Sequence, residues 1–208
     1  MRVLVACEYS GRVRDAFIKL GHDAVSCDFR PSDTKGPHYQ GDVTDILQDG
    51  WDLMIAHPPC TYLCRSGLHW NSRTKGRNEK TEQALAFVQL LMNYPFIPKI
   101  ALENPVGCIS TRIRKPEQVI QPWQFGHPES KETCLWLKGL PKLVHTKVLP
   151  LPEKGYWDNQ TATGQNNSWM DQDRFRVRSI TYLGLAKAMA EQWGGKIVDK
   201  KRKKRELV

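Results

Sequence analysis

No stretch of about 18 consecutive apolar residues occurs in the chain, which excludes a membrane-spanning helix. A secretory signal is missing too: the apolar run of Met1-Arg-Val-Leu-Val-Ala-Cys7 is short and Glu8 follows at once. A cytoplasmic protein is therefore expected. There is no Cys-x-x-Cys, and the six cysteines (7, 27, 60, 64, 108 and 134) are scattered, so a disulfide framework is excluded and free thiols are expected. His57, Cys60, Cys64 and His69 lie close together, but their spacing matches no common zinc arrangement, and no metal is expected. Internal repeats are absent.

What is present is globular: 40% hydrophobic and 25% charged residues over 208 positions, enough to bury roughly two thirds of the unfolded surface. The net charge of +9 is concentrated at one end. Residues 196–208 hold seven Lys/Arg against Asp199 and Glu206, a net of +5. Such an arm is expected to be disordered and either contacts phosphates through counterion release or serves only as a solubilising end.

The apolar pattern alternates between strand and helix. Arg2 to Ala6 reads as a buried strand, followed by a short helix carrying Val13, Phe17, Ile18 and Leu20. Asp23 to Cys27 and Asp52 to Ala56 are the second and third strands, with the Pro- and Gly-rich loop Arg30 to Gly41 between them. Cys60 to Asn78 lacks periodicity and reads as a long basic loop. Glu79 to Asn93 is an amphipathic helix with Ala84, Phe87, Val88 and Leu91 on one face. Lys99 to Leu102 is a fourth strand, closed by Glu103-Asn104-Pro105. Cys134 to Leu137 reads as an antiparallel edge strand, and 140–178 shows no convincing element. A last helix spans Thr181 to Trp193, with Leu185, Ala188, Met189 and Gln192 at helical spacing and Gly194-Gly195 as its cap. Nearly continuous apolar strands alternating with helices imply an α/β fold with a mostly parallel sheet.

In such sheets ligands bind outside the carboxyl ends of the strands. The residues that follow the strands are therefore the candidates: Cys7, Glu8, Tyr9, Ser10 and Gly11 after the first, Asp28 after the second, His57-Pro58-Pro59-Cys60 after the third, and Glu103-Asn104-Pro105 after the fourth. Asp28 suits ribose hydroxyls, a role preferred here over that of a helix cap or turn residue. Cys60, on a backbone stiffened by two prolines, suits a nucleophile if a positive field lowers its pKa, or simple packing. Glu103 is placed to donate a proton, or is a surface carboxylate at a strand end.

Taken together and in this order, the residues resemble the cytosine-C5 DNA methyltransferase family, in a compact, phage-type version. Pro58-Pro59-Cys60 resembles its Pro-Pro-Cys motif, and Glu103-Asn104-Pro105-Val106 its Glu-Asn-Val motif. Val5 to Phe17 is similar to the family's opening cofactor loop, with Tyr9 and Arg12 standing where glycines are usual. Gly126-His-Pro128-Glu-Ser-Lys131-Glu-Thr133 resembles Gly-x-Pro-Gln-x-Arg-x-Arg, with Lys131 and Thr133 in place of its arginines. Leu183 to Ala190, with Gly184, resembles the closing helix of the cofactor pocket. An Asp/Asn-Pro-Pro-aromatic motif would point to amino-methyltransferases instead, but Cys60 follows Pro59.

The resemblance implies a Rossmann-like S-adenosylmethionine-dependent methyltransferase fold over residues 1–195, with 140–178 as a much reduced recognition region. It implies S-adenosylmethionine as cofactor, held by Cys7, Glu8, Tyr9, Ser10, Gly11, Asp28, Asp42, Pro58 and Gly184. It implies Cys60 as nucleophile towards cytosine carbon 6, Glu103 as the acid at N3, and Asn104 and Lys131 as catalytic partners. A carboxyl can act as that acid at neutral pH only if burial or the substrate raises its pKa. The loop from Thr61 to Asn78, with Arg65, Arg73, Lys75 and Arg77, becomes a lid with phosphate contacts. The partner is duplex DNA with a flipped cytosine, and the chain is expected to act as a monomer. Two further readings stay open: the same chemistry on a free pyrimidine nucleotide or single strand, and a degenerate DNA-binding protein.

Overall fold

Val3, Leu4, Val5 and Ala6 are fully buried, so β1 (Arg2–Ala6) is apolar on both faces, as a central parallel strand must be. The computed structural model, which describes residues 1–167 and 174–195, places it between β2 (Asp23–Asp28) and β4 (Leu53–Ala56), both parallel to it. Beyond β2 lies β3 (His38–Gln40), and beyond β4 lies β5 (Lys99–Pro105), both also parallel. The sheet is completed by β7 (Thr133–Lys138), antiparallel to β5, and β6 (Gln118–Ile120), antiparallel to β7. The order is β3-β2-β1-β4-β5-β7-β6.

Successive side chains of a strand point to opposite faces, so the sheet feeds two cores. On one face Val3, Val5, Leu53 and Ile55 pack with Val13 and Phe17 of α1 (Arg12–Lys19). Leu185, Ala188 and Met189 of a C-terminal helix, Leu183–Met189, complete that core. On the other face Leu4, Met54, Ile100 and Leu102 meet Leu85, Val88 and Leu91 of the long helix Arg77–Met92. In chain order the helices after α1 are α2 (Arg65–Leu68), α3 (Arg77–Met92), α4 (Ile109–Arg112), α5 (Arg174–Ser179) and α6 (Leu183–Met189). A π turn, Ala190–Gly194, extends α6, and Gly195 ends it at φ 66°. Among the described residues no helix is long and apolar enough to cross a membrane.

Several expectations are corrected. The loop from Arg30 to Gly41 contains β3, a strand of three residues, too short to show periodicity. The strand expected to close at Leu102 continues through Glu103, Asn104 and Pro105, which pair with Leu135, Cys134 and Thr133. β7 is not an edge strand, because β6 covers it. The basic stretch after Cys60 is not all loop: α2 forms one turn of it, and α3 begins at Arg77. Leu85, not singled out in the sequence, is buried on α3, whereas Ala84 and Phe87 are only partly covered. The basic arm 196–208 lies outside the described residues.

Candidate active site

The sheet reverses direction between β1 and β4, one strand leading outward to β2 and the other to β5. Ligands of open α/β sheets sit outside the carboxyl ends at this switch point. There Cys7 leaves β1 with φ 58°, a left-handed conformation that a residue with a Cβ adopts only when its surroundings enforce it. His57 leaves β4, its backbone N–H bonded to the Ala6 carbonyl at 2.9 Å.

Two bonds tie the end of β4 to the end of β5. Asn104 Nδ2, 1% exposed as a residue, donates to the Pro58 carbonyl at 2.7 Å. His57 Nδ1 lies 3.0 Å from Glu103 Oε2, with both side chains largely buried. These bonds hold the Pro58-Pro59-Cys60 turn against the Glu103-Asn104 strand end. Cys64, one helical turn beyond Cys60, donates its backbone N–H to the Cys60 carbonyl at 3.0 Å; the two free thiols interact, and the Cys64 Sγ is 3.2 Å from Ser66 Oγ.

The electrostatics follow from these contacts. Burial alone would raise Glu103. The hydrogen bond from His57, then the charges of Lys131 and His57, outweigh it and hold the carboxyl below its ordinary range. The raised value that proton donation by Glu103 alone would need is therefore absent; the site is instead built to keep a carboxylate. The Cys60 thiol is pushed up, first by its bond to Cys64, then by burial and by Glu103, with Lys131 opposing. Cys64 is pushed down, first by the bond from Cys60 and then, against its burial, by Ser66, the Gly67 backbone and Arg178. The two thiols are thus shifted in opposite directions, Cys60 up and Cys64 down.

A cavity of about 540 Å³ opens on the Cys7 side, lined by Cys7, Cys27, Asp28, Asp42, Pro58 and Pro59, with Phe29, Tyr62 and Phe87 on its walls. Cys7 stays protonated there, raised to about 12 by burial, then by Asp28 and other neighbours. A second cavity, about 740 Å³, lies on the far side of the Cys60 turn. Its lining includes Cys64, Arg65, Pro105, Lys131, Arg178 and Tyr182, with Asn159 and Asn167 from the 140–167 stretch. Neither Cys60 nor Glu103 lines either cavity. Cys60 stands between Pro59, on the wall of one, and Cys64, on the wall of the other, while Glu103 is turned to His57.

Of the positions singled out for cofactor binding, Cys7, Asp28, Asp42 and Pro58 meet at the first cavity. The others do structural work in the β1–α1 turn or at α6. Glu8 is buried and caps α1, accepting from the Val13 N–H at 2.8 Å and from Ser10 Oγ at 3.0 Å. Tyr9 shares a hydrogen bond with Ser179 Oγ at 2.7 Å. Gly11 has φ 71°, and a Cβ there would strike Thr34 Oγ1 at 2.2 Å. Gly184 packs on the Phe125 carbonyl, and its N–H donates to His127 Nε2 at 2.9 Å. Arg12, standing where a glycine is usual in the motif, donates to the Thr181 carbonyl at 3.0 Å. Tyr9 and Arg12 thus fasten the turn to the segment around α5 and α6.

Lys131 Nζ donates to the Arg178 carbonyl at 2.7 Å and lines the larger cavity. Arg65 lines it too, but Arg77, expected among the phosphate contacts, is turned inward: it donates to the Thr61 carbonyl at 3.0 Å and lies over the Tyr62 ring. Sequence reasoning weighed His57 and Cys64 only as part of a metal set that the spacing did not support; the one-turn spacing from Cys60 was the available signal for Cys64. Arg178 and Tyr182 carried no signal, since only the fold brings them to the cavity.

The strand order, the single reversed strand β7 and a cavity at the carboxyl edge give this chain a Rossmann-like α/β fold. No protein-family model matches the chain, and no curated protein does. Similar solved structures include a DNA modification methyltransferase encoded within an E. coli prophage (14% identity, TM-score 0.44, covering 72% of this chain and 52% of that one). Others are DNMT2 of Spodoptera frugiperda (16%, 0.44, 73% and 55%) and the methyltransferase EhMeth of Entamoeba histolytica (12%, 0.47, 72% and 57%). The chain's match spans about half the length of each.

Proposed function

We propose that this chain methylates carbon 5 of cytosine in DNA, with S-adenosylmethionine as donor and Cys60 as nucleophile. The observation that carries the reading is the pair of bonds, Asn104 to Pro58 and His57 to Glu103, that fasten the Pro-Pro-Cys turn to the Glu-Asn strand end. Residues 1–195 are read as one methyltransferase domain, with 140–178 as its short recognition region.

The cavity beside Cys7 fits the cofactor. Its 540 Å³ falls within the usual range for small-molecule sites, roughly 300–1,000 Å³. Asp28 and Asp42 can accept from ribose hydroxyls, while Phe29, Phe87 and Tyr62 offer an apolar wall to a purine. When bound, S-adenosylmethionine supplies an electrophilic methyl group. The larger cavity is the place for the base: Arg65, Lys131 and Arg178 answer phosphates, and Asn159 and Asn167 can bond a base edge. A cytosine from a duplex reaches it only by leaving the stack, at a cost of a few kcal/mol.

Carbon 5 is a weak nucleophile until a sulfur adds to carbon 6. Cys64 is the base at hand: it takes the Cys60 proton as the Cys60 sulfur bonds to carbon 6. The C5=C6 electron pair becomes available at carbon 5, and a proton at N3 balances the charge. After methylation a base removes the C5 hydrogen and Cys60 departs.

The test is transfer of labelled methyl groups from S-adenosylmethionine to duplex DNA, single strands and dCMP. Transfer to the duplex is expected, with a 5-fluorocytosine duplex trapped covalently on Cys60. Cys60→Ala should abolish transfer and trapping and leave cofactor affinity within a few fold. Full transfer by Cys60→Ala would overturn the assignment of the nucleophile, and transfer to dCMP alone would overturn the DNA substrate.

A further inference from the structure

We propose that His57 is a positioning residue that stores the proton for cytosine N3: the His57–Glu103 pair, not Glu103 alone, is the acid of the reaction. This rests on the functional reading above. In the sequence His57 stood at the end of the third strand and in an unsupported metal set, with no link to Glu103; the sheet makes it the partner of Glu103. Ala56 and Leu102 are paired in register on β4 and β5, so the next residue on each strand, His57 and Glu103, reaches the carboxyl edge side by side. There Nδ1 and Oε2 meet at 3.0 Å, with the side chains 8% and 16% exposed.

The far side of the ring supports a proton that is stored rather than fixed. Nε2 of His57 is buried with no hydrogen-bond partner among the described residues. A carboxylate on Nε2 would hold the ring as imidazolium. Without one, a charged ring leaves its Nε2–H buried and unpaired, a state that costs free energy and so favours passage of the Nδ1 proton to the carboxylate. The depressed pKa of Glu103 agrees, since a carboxyl kept ionised needs a second group to carry its proton.

The groups around the pair are few. From the segment before β7, Lys131 faces Glu103 and favours its charge. On the turn after β4, Cys60 feels the Glu103 carboxylate, and on β7 so does Cys134. On the β1 side the nearest titratable residues are Cys7 and Glu8, and the Glu8 carboxylate is committed to α1.

The proton count closes. In the proposed cycle the pair starts as imidazolium and carboxylate. As the Cys60 sulfur bonds to carbon 6, N3 takes a proton from the Glu103 carboxyl, which takes the Nδ1 proton of His57. His57 is left neutral and Glu103 ionised. When the sulfur leaves carbon 6, the N3 proton returns by the same path.

His57→Asn tests this. Its side-chain amide can still donate to Glu103, so a merely structural role would be rescued, but it stores no proton. The wild type should lose kcat as pH rises through the histidine range. In His57→Asn that limb should vanish and kcat should fall about 10²-fold or more, the scale of general-acid catalysis, with KM for the cofactor nearly unchanged. An unchanged kcat and pH profile would overturn the proposal. A second measurement needs neither turnover nor that variant: nitrogen NMR of the His57 ring in wild type and Glu103→Gln. The titration midpoint should move to lower pH when the carboxylate is gone; an unmoved midpoint would also overturn the proposal. A wild type that methylates no cytosine would instead refute the functional reading, leaving the NMR result to decide on the pair.

Discussion

Cys60 and Cys64 show how two neighbouring thiols are shifted in opposite directions by each other and by their surroundings. Both thiols sit in the same turn, yet Cys64 has Ser66, the Gly67 backbone and Arg178 to support a charge, while Cys60 has the Glu103 carboxylate nearby to oppose one. The thiolate is the reactive form, so substoichiometric iodoacetamide at pH 7 should alkylate Cys64 at least about tenfold faster than Cys60. Peptide mapping by mass spectrometry reads this directly. Faster labelling of Cys60 would mean that the resting charge lies on the nucleophile itself and that Cys64 is not its base. The same scale explains Glu103: burial pushes its carboxyl up most, and the His57 hydrogen bond with the charges of Lys131 and His57 together bring it below its ordinary range.

At the scale of elements, the decisive feature is the extension of β5 past Leu102. As a turn, Glu103-Asn104-Pro105 would leave the Asn104 amide in water. As strand, paired with β7, it aims that amide at the Pro58 carbonyl, where it fixes the Cys60 turn. Asn104→Ala leaves the carbonyl without its donor in a buried place, and should cost about 1–3 kcal/mol of stability in urea unfolding. Adduct formation with 5-fluorocytosine DNA should slow more than cofactor affinity falls, because the loosened turn carries Cys60. Stability and trapping both at wild-type levels would show that the turn is held by other means. Gly107 belongs to the same contact: a Cβ there would lie 1.9 Å from the Leu63 carbonyl, so the Cys60–Cys64 turn packs against bare backbone.

For the whole molecule, the smaller cavity is lined from the first half of the sheet and α3, and the larger from α2, the end of β5, residues 129–132, the 140–167 stretch, Arg178 and Tyr182. On the proposed reading, the cations of the larger cavity and the sequence's basic arm, net +5 over residues 196–208, would both serve phosphate contact. Truncation after Gly195 should weaken DNA binding and flatten the slope of log affinity against log salt, each lost phosphate contact removing about 0.9 from that slope. Fluorescence anisotropy at several salt concentrations measures it. An unchanged slope would make the arm a bystander.

Local pattern was enough for β1, β2, β4, α1, α3 and α6, because a buried strand or an amphipathic helix carries its own periodicity. It was also enough to place Cys7, Asp28, Cys60 and Glu103 at one sheet edge, since parallel strands that alternate with helices all end on the same side. Three-residue strands such as β3 and β6 carry no such signal; they exist because a neighbour offers them hydrogen bonds. Nor could the sequence show that His57 faces Glu103, that Cys64 takes charge from Cys60, or that Tyr9, Arg12 and Glu8 serve the β1–α1 turn. Those are relations between residues far apart in the chain or on different elements. They depend on register, burial and the direction of side chains, which only packing of the whole sheet decides.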